Sequence, residues 1–142
     1  MDRISSENPA VETLRATVAR HGGSRKRIDL PEGSLPEGEV VRLVIDGTTY
    51  HAKVEGGFAD GPHISGAYES PDMARERTGT DHLGSWLEDV GRSVDGSVLV
   101  DVIEPDFAYG LREPGEEAVY EAVEKPKESL ANIARNLEDA DS

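Results

Sequence analysis

One dipeptide constrains this chain more than any other feature: Asp46-Gly47, set between the β-rich runs of residues 39–45 and 48–54. Both residues accept positive φ, which a two-residue type I′ turn requires, and that turn twists in the sense of the strands it joins. The turn also dictates register. It pairs Ile45 with Thr48, Leu43 with Tyr50 and Val41 with Ala52 on one face, which is apolar and belongs in a core. The opposite face pairs Val44 with Thr49, Arg42 with His51 and Val40 with Lys53, so basic groups line the solvent side of the hairpin.

Other segments share the two-residue period of half-buried strands. In residues 11–20, Leu14, Ala16 and Val18 alternate with Thr13, Arg15 and Thr17; a short strand follows at 26–30. Leu30-Pro31-Glu32-Gly33 and Leu35-Pro36-Glu37-Gly38 nearly repeat and make a loop of two turns. Residues 63–69, 97–103 and 107–111 read as further strands. Between them, Ser70-Pro71-Asp72 and Thr80-Asp81 are helix starts, the second followed by Leu83, Trp86, Leu87 and Val90 at helical spacing. Residues 1–10 are polar and read as a flexible tail. Residues 116–142 read as an acidic linker and an amphipathic C-terminal helix, with Leu130, Ile133 and Leu137 on one stripe. The predicted fold is α+β and mainly β: an antiparallel, partly closed barrel of about six to seven strands over residues 11–115, with a helical insertion at 71–90. Closure would deal with exposed strand edges.

Charge narrows the setting. The 29 acids and 15 bases give a net charge of −14, and only four of the bases are Lys. Either the chain is disordered, or it is folded with solvated carboxylates suited to strong salt, where repulsion is screened within about 3 Å. The regular strand patterns favour the folded reading. There is no Cys, no apolar run long enough for a membrane span, and no signal-peptide pattern at 1–10, so a cytoplasmic protein without a membrane partner is expected. Acid-rich, Lys-poor and Cys-free composition resembles that of cytoplasmic proteins from halophilic archaea.

The charge is also uneven. Residues 1–54 hold eight bases and eight acids, and residues 13–28 hold five bases and no acid. Arg15, Arg20, Arg25, Lys26, Arg27, Arg42, His51 and Lys53 form a base-rich set on consecutive strands, which would merge into one patch if those strands were neighbours. A positive patch on an acidic body is the footprint of a nucleic-acid site, and Arg can grip phosphate or a guanine edge bidentately. The competing reading pairs these bases with the 21 acids of residues 55–142.

Catalytic signals are weak. Glycine-rich phosphate loops and a Gly-x-Ser-x-Gly elbow do not occur, and no two His stand three or four apart. His63 with Asp60 reads as a solvated loop pair before it reads as an ion site. Asp101, among Val and Ile, is the carboxylate of most interest; strand alternation places it on a solvent face. No catalytic residue, metal site or cofactor is expected. Tyr68, Tyr109 and Arg112 mark an alternative small-molecule or enzymatic site, and Gly110 would let a backbone or ligand approach closely. The remaining alternative is a protein-interaction module acting through Leu130, Ile133 and Leu137.

Gly38-Glu39-Val40-Val41-Arg42-Leu43, Asp46-Gly47 with Tyr50-His51-Ala52, and Tyr109-Gly110-Leu111-Arg112-Glu113-Pro114-Gly115 resemble an uncharacterised family of small haloarchaeal proteins. That resemblance runs from Arg27 to Pro114 and implies a shared fold and organism class, with no activity attached. The strand–hairpin–helix–strand order is also similar to the DNA-binding pseudobarrel of plant B3 domains and some restriction-enzyme effector domains. This second likeness is architectural and implies no base-reading residues.

Overall fold

The hairpin forms in the register its turn demands. Asp46 and Gly47 adopt φ of 50° and 82°, and all six pairs from Val40↔Lys53 to Ile45↔Thr48 are those expected. The structure is a computed structural model describing residues 3–22, 25–56 and 61–121. In chain order the elements are β1 (Arg3–Ser5), β2 (Thr13–Arg20), β3 (Lys26–Asp29), β4 (Val40–Ile45), β5 (Thr48–Lys53), β6 (His63–Ile64), α1 (Pro71–Glu76), α2 (His82–Asp89), β7 (Ser97–Glu104), β8 (Ala108–Arg112) and β9 (Val119–Glu121). The expected C-terminal helix, with Leu130, Ile133 and Leu137, and the Asp60 partner of His63 lie outside the described residues.

Seven strands make one curled sheet in the order β5-β4-β8-β7-β2-β3-β6. Its two edges meet at isolated antiparallel bridges, His51↔Tyr68 and Glu55↔His63, whose backbone hydrogen bonds measure 2.7–2.8 Å. The bridges are offset by one residue, so segment 65–67 leaves the ladder and the strand expected over 63–69 is reduced to two residues. The result is a mainly β, partly closed barrel. The expectation of an antiparallel sheet needs one correction: β4 and β8 run parallel. Parity explains it. Alternating directions cannot return to their start around seven strands, so an odd ring whose edges meet antiparallel must contain a parallel neighbour pair.

The interior is filled by the alternating residues of the strands, among them Ala16, Val18, Ile28, Leu43, Ala52, Ile64, Val98 and Val100, each with no more than 1% of its surface exposed. Burying an aliphatic side chain of this size contributes about 1.5–3 kcal/mol. Helix α2 brings Leu83, Trp86 and Leu87 into the same core. Its N-cap ties down the segment before it: Asp81 Oδ1 accepts from the backbone amides of Ala67, Leu83 and Gly84 at 3.0–3.1 Å. Asp81→Ala strips three amides of their acceptor and is expected to destabilise the fold by about 2 kcal/mol. The check is a shifted urea midpoint with an unchanged m-value; a shift worth less than about 0.5 kcal/mol contradicts it. Helix α1 starts as expected, with Ser70 Oγ accepting from Met73 N at 3.1 Å and Pro71 in the first turn. It ends at Arg77, whose φ of 57° closes the helix before Thr78-Gly79.

Arg3–Ser5, expected within a flexible tail, instead forms β1 and pairs antiparallel with β9 as a second, two-stranded sheet. Strands of three residues are too short to show a period. Each turns one side chain inward, Ile4 and Tyr120, which stand opposite each other and pack with Val44, Ile103, Phe107 and Ala118 in a second apolar cluster. Strand β8 is therefore covered on both faces, and all five of its residues are buried.

Candidate anion-binding surface

The expected basic set divides among three places. Arg42, His51 and Lys53 come together on the outer face of β4–β5, with Arg42 directly opposite His51. Arg15 and Arg27 lie on the outer face of β2–β3. Arg20, Arg25 and Lys26 gather at the junction of those two strands beside α2, with Arg20 opposite Lys26. One patch does not form, because β8 and β7 separate β4 from β2 on one side and β6 separates β3 from β5 on the other. Chain order made these strands consecutive; sheet order does not.

Their partners differ as well. Arg27 Nε stands 2.8 Å from Asp29 Oδ1, an ion pair without the angle of a hydrogen bond. Arg25 Nη2 donates to Ser65 O and lies 3.7 Å from Asp81 Oδ2, while Lys26 Nζ donates to the Arg92 carbonyl at 3.0 Å. Among the described residues, Arg15, Arg42, His51 and Lys53 have no ion-pair partner. Arg42 lies 4.8 Å over the ring of Phe107, an arrangement that holds a guanidinium in place and leaves its donors available. Burial, and next the charge of Arg42, hold the His51 imidazole below its ordinary pKa, so it is neutral at pH 7.

At the barrel seam a different cluster is fully occupied. Glu55 accepts from Arg77 Nε and Nη2 at 3.0 and 2.6 Å and from Ser65 Oγ at 3.1 Å, and it faces His63 at 3.6 Å. Burial opposes ionisation of Glu55, but the Arg77 and Ser65 hydrogen bonds outweigh it and its pKa is lowered. This carboxylate locks the seam.

Strand alternation assigned Asp101 correctly to the outer face, yet the residue is fully buried, because β9 covers that face. Its oxygens accept from Arg112 Nε and Nη2 at 2.7 and 3.1 Å, from the Tyr120 phenol at 2.7 Å and from Thr13 Oγ1 at 2.6 Å. Arg112 Nη1 also donates to the Glu116 carbonyl. The hydrogen bonds that Arg112 donates to the Asp101 carboxylate raise the Arg112 pKa, and burial with the same carboxylate pushes the Tyr120 phenol far above its usual range. Every strong acceptor direction is used, which makes this group a clasp joining β2, β7, β8 and β9.

The three residues of the alternative ligand site are all buried. Tyr68 is 4% exposed, Tyr109 is 1% exposed with its phenol oxygen accepting from Asp106 N, and Arg112 is 8% exposed within the clasp. Sequence reading missed Arg3 and Val119, which border the hairpin's outer face beside Arg42. The available signal was faint: Arg3-Ile4-Ser5 and Val119-Tyr120-Glu121 each flank one inward side chain with two outward ones. No described helix is long and apolar enough to cross a membrane.

No curated protein and no solved structure matches the chain. Residues 1–137 match a family of unknown function, and with nearly the whole chain covered, the protein belongs to that family, DUF7112.

Proposed function

We propose that the chain is a non-catalytic binding domain that engages nucleic acid through the outer face of β4–β5. The observation that carries this reading is the cross-strand placement of Arg42, His51 and Lys53 on one half-exposed face, none of them ion-paired among the described residues. On a chain of net charge −14, Arg42 and Lys53, without a carboxylate partner among the described residues, are cations positioned for an external anion, with the His51 imidazole between them. The composition supports a cytoplasmic protein of a halophilic archaeon, in which the counterion-release contribution is reduced and directed Arg contacts do more of the binding. The strand–hairpin–helix–strand order supports the pseudobarrel likeness, which is one of architecture alone.

A gel-shift assay in molar KCl tests the reading. Wild type is expected to bind, and Arg42→Glu with Lys53→Glu is expected to weaken binding by at least about tenfold, or 1.4 kcal/mol. Binding that survives both reversals contradicts it.

Binding is also expected to depend on pH through His51. Its pKa is lowered in the free protein, and a phosphate alongside supplies the opposite charge that raises it. The complex then holds more protons than the free protein. Affinity rises as pH falls through the window between the bound and free pKa values, and it levels off below the free value. Titrating binding from pH 7.5 to about 5.5 checks this, since His51→Gln flattens the profile.

A further inference from the structure

Between the outer face of the hairpin and β9 lies an open depression of about 580 Å³, bordered by Arg3, Arg42, Val44, Val119, Tyr120 and Glu121. That volume is within the range of roughly 300–1,000 Å³ usual for ligand sites. Two unlike chemistries converge there. Arg3 and Arg42 supply cationic donors without an ion-pair partner among the described residues, although Arg3 stands opposite Glu121 in the β1–β9 register. Val119, 57% exposed, is the only exposed large hydrophobic side chain among the described residues, and it lies in this same depression.

We infer that this depression takes an unpaired nucleotide of a single strand, with its phosphate on Arg42 and Arg3 and its base laid against Val119. The inference rests on the nucleic-acid reading above and deepens it. A duplex presents phosphates and groove edges while its base faces stay stacked inside. A single strand offers phosphate and apolar base face together, the pair of features found here. The Tyr120 phenol, which also borders the depression, is committed to Asp101 and does not compete for the base. Glu121 repels a second phosphate and accepts hydrogen bonds from a base carrying an amino group, which favours cytosine over thymine.

Fluorescence anisotropy in molar KCl, with a short labelled oligo(dC) and the same strand in duplex form, tests the assignment. The single strand is expected to bind at least about tenfold tighter than the duplex. Val119→Asp and Arg3→Glu are each expected to remove most of that preference while leaving the melting temperature unchanged, because both residues are exposed. If single strand and duplex bind equally, the assignment is overturned. It is also overturned if both variants keep the preference while Arg42→Glu with Lys53→Glu abolishes binding; the hairpin face then stands as the site without the depression. If neither form binds the wild type, the nucleic-acid reading falls and this inference with it.

Discussion

Asp101→Ala is expected to destabilise the protein by about 3–5 kcal/mol, the range for removing one partner of a buried ion pair. The carboxylate is fully buried and serves four donors from three side chains, Thr13, Arg112 and Tyr120. Without it, the Arg112 guanidinium stays in a site that is 8% exposed with only the Glu116 carbonyl as partner. Relief requires β9 to lift and let water in, which also uncovers the apolar cluster of Ile4, Ile103 and Tyr120. Urea denaturation in molar KCl measures the loss, and the melting temperature falls on the order of 10 °C. A loss below about 1 kcal/mol means that the clasp is dispensable.

Gly110→Val attacks the same clasp from the neighbouring strand, on the same face of the sheet. Gly110 is paired with Asp101 across β7–β8, and a Cβ built on it clashes with the phenol end of the Tyr120 ring. Glycine leaves room for the close approach of the Tyr120 ring to the strand. A valine forces the ring outward and breaks its hydrogen bond to Asp101, with an expected loss of about 3 kcal/mol from overpacking and the stranded acceptor. Limited proteolysis should then cut residues 113–121 faster than in wild type. Adding Tyr120→Ala removes the clash, so the double variant is less destabilised than the sum of the two single changes. Additive losses contradict the packing argument.

Much of the fold was legible because its signals are local. Asp46-Gly47 specified both a turn and six residue pairs, and Ser70-Pro71 and Thr80-Asp81 marked helix starts that the structure places as expected. What was not legible is long-range. Nothing in residues 40–45 or 108–112 signals that they lie parallel side by side, since each alternates as it would beside any neighbour. The basic residues suffered from the same blindness: their faces could be assigned strand by strand, but β7 and β8 insert between them only in three dimensions. Asp101 shows the limit most plainly. Its face follows from alternation, but its burial depends on Tyr120, nineteen residues away on a strand too short to carry a pattern.

The order in which these partners leave the ribosome has a consequence for synthesis. Asp101 emerges with β7 and meets Arg112 eleven residues later, but Tyr120 and the pairing of β9 with Arg3–Ser5 come only when residues 119–121 have been made. Until then β1 has no strand to pair with, and the outer side of β7–β8 stays wet. The strand that covers Asp101 is therefore the last of the described strands to be made.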